Sequence, residues 1–213
     1  MPKFSIIAVD YEFHVPRQGM VGGLKSLAAQ TFKDFEIIIV HDGPKTIPYE
    51  EELGDVLDGL DVTFTSTPVH CNNWGHSSRD SGMRIAKGEY IVHFNIDNML
   101  YPFALEEINN SIDEVYPIII FPIIHHKINA LRRGYNLDQY ARGEVPETRD
   151  IVFNGIPPVL ANIDVLQFVA RKDVWENAGY WYNLTEQSDG IIYSELCRDN
   201  NYKALSRVLG ENF

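Results

Sequence analysis

Three short polar runs carry side chains able to do chemistry: Asp10-Tyr11, His41-Asp42-Gly43 and Asn95-Ile96-Asp97-Asn98. In the last run, Asn95 and Asp97 stand two residues apart. An extended backbone therefore presents both oxygen-bearing side chains on one side. Such a pair suits a hard divalent cation, Mg²⁺ or Mn²⁺, which takes oxygen ligands together with substrate phosphates. A bound ion of that kind offsets the negative charge growing on a departing diphosphate. Asp97 taken alone is equally well read as a turn residue after a strand. Asp42 supplies the acceptor that a nucleobase N–H requires.

Each run ends an apolar stretch, and those stretches are the elements that must position it. Residues 4–9 and 35–40, the latter with three consecutive isoleucines, read as buried strands. Strands are also expected over 61–66, 90–94, 117–124 and 167–170, and a terminal one over 202–208. Helical spacing marks 20–30 (Val21, Leu24, Leu27, Ala28) and an acidic amphipathic segment over 49–57. Helices are further expected over 77–86, closed by Lys87-Gly88, over 102–112, with proline in its first turn, and over 189–198. Near-continuous apolar strands alternating with helices predict an α/β fold with a parallel sheet covered on both faces. Ligands of such sheets bind at the carboxyl ends of the strands, where the three polar runs emerge. The expectation is one domain over 1–213, with a nucleotide-binding half over about 1–102 and an acceptor-side half over about 117–213. The polar segment 127–148 carries Arg132, Arg133 and Arg142 without a clear period, as functional or mobile loops do.

A longer pattern runs through the first half. Residues 23–30 lead into Thr31-Phe32-Lys33-Asp34-Phe35-Glu36, and Asp42-Gly43 follows. Ser77-Ser78-Arg79-Asp80-Ser81-Gly82 continues through Ile85-Ala86-Lys87-Gly88-Glu89-Tyr90 to Asn95-Ile96-Asp97-Asn98. This order and spacing resemble glycosyltransferase family 2, which writes them as Q-T-[YF]-x-[ND]-[FW]-E, an acidic-glycine turn, A-A-R-N-x-G, A-x-G-E-[YF] and D-x-D-D. The likeness is close over 4–102 and weaker over 179–198. It implies a GT-A fold, a mostly parallel Rossmann-like sheet flanked by helices. It implies a metal-assisted, inverting transfer of a sugar from a uridine diphosphate sugar to a hydroxyl of a glycan acceptor, on a glycoprotein. By the same resemblance Val9, Asp10 and Tyr11 form the first nucleotide loop, Asp42 meets the uracil, and Arg79 lies near the base or the phosphates. Asn95, Ile96 and Asp97 stand in the metal motif, with Asp97 and Asn95 as the ligands.

The chain departs from the family at Asp10 and His41, beside the nucleotide base, and at Asn95 and Asn98, where acids are usual, so that Asp97 becomes the principal protein ligand and weaker metal affinity follows. The family draws its catalytic base from an E-D pair before a late helix. The counterpart here is Ser188-Asp189-Gly190, which makes Asp189 the candidate base and Glu186 the second choice; helix capping is the alternative role for Asp189.

Other residues are open to two readings. Trp181 and Tyr182 suit stacking on an acceptor sugar or packing in the core. His125-His126 end an apolar strand and face opposite ways, so without a bend they cannot share one ion. His70 and His76 read as loop structure or phosphate neighbours, and not as a zinc site.

Composition narrows the field. Eighteen basic against thirty acidic residues give a net charge of −12, which disfavours nucleic acid and anionic membrane as partners. No apolar run approaches the roughly 20 residues of a membrane span. Lys3 and residues 4–9 meet Asp10 too early for a signal peptide, so a cytoplasmic setting with Cys71 and Cys197 reduced is expected. Two rival functions remain in view. A nucleotidyltransferase on a similar sheet needs a glycine-rich loop after the first strand, and residues 10–17 contain no glycine. A nucleotide-sugar or glycan-binding module, inactive through Asn95, needs none.

Overall fold

The computed structural model describes residues 1–10, 17–126 and 152–213. Tyr11 and the arginine-bearing segment 127–148 lie outside the described residues.

Strands β1 (Phe4–Asp10) and β2 (Phe35–His41) are buried at every position, as strands covered on both faces must be. With β3 (Val62–Ser66) and β4 (Tyr90–Asn95) they form a parallel block in the order β3-β2-β1-β4. Helices α1 (Arg17–Ala28), α2 (Tyr49–Leu53) and α3 (His76–Ile85) lie on the connections. The acidic helix expected over 49–57 is shorter than its pattern: Gly54 takes φ 54°, and the chain continues as a 3₁₀ turn over Gly54–Leu57.

Beyond β4 the sheet changes direction, so that it is mostly, and not wholly, parallel. Strand β8 (Phe168–Arg171) runs antiparallel to both β4 and β6 (Ile118–Ile120), and β9 (Tyr202–Ala204) closes the edge parallel to β6. The apolar run 117–124 is two strands rather than one. After Phe121 the chain passes through Pro122, which has no N–H for a ladder. It then enters β7 (Ile123–His125), in a second sheet with β5 (Met99–Leu100) and β10 (Gly210–Asn212). The terminal run 202–208 likewise ends early, at Ala204, and β10 follows separately. Helices α4 (Ala104–Ser111), α5 (Lys172–Ala178) and α6 (Ser188–Asp199) complete the described elements, α5 being one that periodicity did not reveal.

Two hydrophobic clusters sandwich the main sheet. One gathers α1, α2 and α4 against Phe4, Ile6, Ile37 and Phe94. The other gathers α3, α5 and α6 against Ile7, Ile38, Ile91 and Phe168. Two of the family-like motifs hold this frame together far from the polar strand ends. Gln30 donates to Ser26 O and Tyr101 O and accepts from Leu105 N–H, tying α1 to α4. Buried Glu36 accepts from the Ser5 hydroxyl at 2.5 Å and from Lys87 N–H at 2.6 Å. Among the described residues no helix is long and apolar enough to cross a membrane.

Candidate active site

The carboxyl ends of β2, β1 and β4 lie side by side at one edge of the parallel block, with His41 beside Asp10 and Asn95 beside Val9. Asp10 is the last residue of β1 and 1% exposed. It accepts from the Tyr49 hydroxyl at 2.6 Å and lies 3.8 Å from Lys45 Nζ. Val9 and Ile96 are fully buried, so they contribute main chain, with Ile96 N–H donating to Val9 O at 3.0 Å.

Asp42 follows β2 and is 2% exposed. Its Oδ1 accepts from Cys71 N–H at 2.9 Å and its Oδ2 from Asn72 N–H at 2.9 Å; the Thr67 hydroxyl lies 3.2 Å from Oδ1. The carboxylate thus holds the loop that leads into α3. An ionised carboxylate has about four lone-pair sites, which leaves room for a further donor. That loop carries left-handed backbone at Asn72 (φ 50°) and Trp74 (φ 55°), which only a well-tied segment sustains. Gly43 (φ 90°) sits under it, where a Cβ would come within 2.5 Å of the His70 ring.

Arg79 emerges from α3 into this end of the sheet and is 2% exposed. It donates to Trp74 O at 2.7 Å and to Asn95 Oδ1 at 2.5 Å, and its guanidinium lies 5.4 Å from the Trp181 ring centre. Its Nε has no partner, and among the described residues no carboxylate stands within ion-pair distance of it. A buried guanidinium held only by neutral acceptors leaves positive charge for an anion to compensate.

The turn bearing Asn95 and Asp97 is placed by contact with α1. A Cβ on Gly23 would stand 2.0 Å from Ile96 O and 3.0 Å from Asn98 O, so only glycine lets the helix rest on this turn. Asn98 is fully buried and both of its amide atoms lack partners. The donor set fits a divalent cation in a restricted way. Among the described residues no three His, Cys, Asp or Glu side chains gather as a ready-made cage. Asn95 Oδ1 accepts from Arg79, and a cation is repelled by that guanidinium. Partly exposed Asp97 is the carboxylate that suits an ion completed by phosphates and water, the usual arrangement for Mg²⁺.

Asp189 lies in the first turn of α6, where the cap position belongs to Gln187, and it accepts from Gly190 N–H at 2.8 Å. Asp189 is not the N-cap residue itself, and its carboxylate satisfies one of the first-turn N–H groups of α6. Burial, and next the charge of Asp164, push its carboxyl up to about 6, against the opposing pull of Gly190 N–H and Arg79. A carboxyl that changes protonation near neutral pH, within the field of Arg79, follows from that environment. Glu186 is exposed, two residues before α6.

Asp164 is a neighbour that the sequence reading missed. Burial opposes its ionisation, yet the net direction is downward through His125, 3.4 Å away, Leu166 N–H at 3.0 Å and Asn212 at 2.8 Å. Its D-x-x-Q spacing with Gln167 signals the capping box that the structure contains, but nothing in it signals a place beside Asp189.

Several candidates take their plainer role. Trp181 is 2% exposed and stacked on His76 and Trp175, so it is core and not a sugar platform. Tyr182 is exposed and bonded to Glu195. Burial first, and then Arg79, lower His76 to about 4, so this neutral, enclosed ring is no cation for phosphate. His125 pairs with Asp164, and His126 with Glu211 at 3.0 Å while stacking on Phe213. Both cysteines are free, and burial pushes Cys197 up to about 12.

Known proteins share this architecture. TarS of S. aureus superposes with a TM-score of 0.71 at 16% identity, covering 99% of this chain and 36% of TarS. Its residues 1–349 in complex with UDP give 0.70 at 16% identity over 98% of this chain and 60% of that one. A mannosyltransferase from Pyrobaculum calidifontis, in complex with GDP-Man and Mn²⁺, gives 0.67 at 12% identity over 97% and 55%. An uncharacterised glycosyltransferase of Methanocaldococcus jannaschii is 28% identical over 126 residues, which is 56% of this chain and 42% of the relative. The chain thus spans between about a third and three-fifths of the length of these relatives. Its architecture is the GT-A fold that they share. With the sequence profile of glycosyl transferase family 2 matching residues 19–176, well over half of its length, the chain belongs to that family.

Proposed function

We propose that the protein transfers a sugar from a uridine diphosphate sugar to a hydroxyl of a glycan acceptor, on a glycoprotein, with inversion and with Mn²⁺ or Mg²⁺. The observation that carries this reading is a buried guanidinium without an ion-paired carboxylate, Arg79, whose charge reaches a carboxyl raised by burial, Asp189 on α6. The first suits an anionic leaving group and the second a proton acceptor. Support for the nucleotide comes from TarS, solved with UDP and with UDP-GlcNAc; support for the metal comes from the Pyrobaculum enzyme, solved with Mn²⁺.

In this mechanism Asp42 and the loop it ties hold the base, with Tyr11 completing the nucleotide contacts. Arg79, kept in place by Trp74 O and Asn95, faces the diphosphate. Asp97 would hold the divalent ion, which supplies Lewis-acid stabilisation of the leaving diphosphate. Asp189 takes the acceptor hydroxyl's proton as that oxygen attacks the anomeric carbon. The bond to the diphosphate oxygen breaks on the opposite face, which inverts the configuration. The cytoplasm, where nucleotide sugars are accessible and free thiols persist, is the proposed setting.

A donor screen tests this. The protein is incubated with Mn²⁺ and a panel of UDP- and GDP-sugars, and released nucleotide is measured with and without oligosaccharide acceptors. Slow hydrolysis of a UDP-sugar, accelerated by acceptor and lost on chelation, is the expected result. Tight UDP binding with no turnover of any donor would instead make the protein a binding module.

A further inference from the structure

Trp181 joins the donor side of the site to the base. Its backbone N–H donates to Asp80 Oδ1 at 3.2 Å, and Asp80 follows Arg79 on α3. Its ring lies 5.4 Å from the Arg79 guanidinium and stacks on His76, with centroids 5.3 Å apart. Its indole Nε1–H donates to Ser188 Oγ at 2.6 Å, and the Ser188 hydroxyl in turn donates to Asn183 O at 2.6 Å. Ser188 is the first residue of α6 and immediately precedes Asp189.

Resting on the reading of Asp189 as the base, we propose that Trp181 is a positioning residue whose indole N–H sets the first turn of α6 against the Arg79–Asn95 end of the site. Apolar packing has no direction and tolerates small rotations of a helix about its axis. A hydrogen bond from a clamped ring to the residue before Asp189 does not. Trp175 makes the contrast: it is stacked in the same cluster, yet its buried indole N–H has no partner. Ring packing here holds without such a bond, so the Trp181–Ser188 contact serves more than the core. The groups facing Asp189 are Asp164 from the loop before β8, Arg79 from α3 and Tyr193 from α6 itself.

Trp181→Phe keeps a ring in the stack and removes only the N–H; Ser188→Ala removes the acceptor. Three quantities are measured for each: the Asp189 titration by ¹³C NMR of labelled aspartate, kcat against donor KM, and UDP affinity by calorimetry. The Asp189 midpoint should fall by about a pH unit or more as the loosened turn admits water. A drop in kcat of about 10- to 100-fold should accompany it, the scale of a 1 Å misplacement, with UDP affinity unchanged. The double variant should lose no more than the worse single one, because both remove the same bond. An Asp189 titration that is unmoved in the folded variants overturns the proposal. If the titration moves while the wild-type protein turns over no nucleotide sugar, the coupling stands and the assignment of Asp189 as base fails.

Discussion

Replacing Asp189 by asparagine should make the folded protein more stable while abolishing transfer, and the size of the gain follows from its surroundings. The carboxyl sits at about 6 against an ordinary value of 3.8, with burial the main cause and Asp164 the second. A carboxyl raised in the folded state binds its proton more tightly there than in the unfolded chain. Its ionisation therefore opposes folding: the cost is absent below about pH 4, grows between about 4 and 6, and is fully present above. That gap corresponds to on the order of 3 kcal/mol at pH 7. The asparagine side chain never ionises and keeps an oxygen for Gly190 N–H. Urea unfolding of both proteins at about pH 4 and pH 8 measures the difference, since groups common to both cancel. At pH 4 the two should be nearly equal; at pH 8 the variant should be more stable by about 1–3 kcal/mol. In parallel, the acid limb of kcat/KM near pH 6 in the wild-type protein should vanish with the activity. An Asp189→Asn protein equally stable at pH 8 and pH 4 relative to wild type would refute the environment described for this carboxyl. A variant with normal turnover would remove it as the base.

Further tests address the donor side. Asp97→Ala should leave the unliganded melting temperature within a few degrees of wild type. The same change should abolish the extra stabilisation that Mn²⁺ adds to UDP, read by thermal shift. Asn95→Asp sets a carboxylate where Oδ1 now accepts from Arg79 at 2.5 Å. The Mn²⁺ concentration needed for half-maximal UDP stabilisation should then fall several-fold, and no change would show that position 95 does not face the ion. Gly23→Ala forces a Cβ to within 2.0 Å of Ile96 O, so the 95–98 turn must shift. A stability loss of about 1–3 kcal/mol with weakened UDP binding is expected, measured by urea unfolding and calorimetry.

Much of the first half was legible from residues alone, and the reason is local. Strands β1, β2 and β4 are short β-branched runs bounded by polar residues, and their ends carry the site, so order along the chain already brought Asp10, Asp42 and Asp97 together. The second half resisted because its outcome depends on partners distant in sequence. A buried strand reads the same whichever way its neighbour runs, so the antiparallel entry of β8 had no local signature. The division of 117–124 between two sheets is settled by what β8 and β10 offer on either side of Pro122.

What the sequence determined by itself, then, was the family, the parallel block and the strand ends where polar side chains cluster, because periodicity and motif spacing are properties of the chain. Tertiary structure alone decided how those side chains are used. Asp42 accepts from Cys71 and Asn72, Asn95 meets Arg79, Trp181 lies in the core, and burial first and then Asp164 raise Asp189. Hydrogen bonds and desolvation arise between groups far apart along the chain, and only the folded packing brings them within reach.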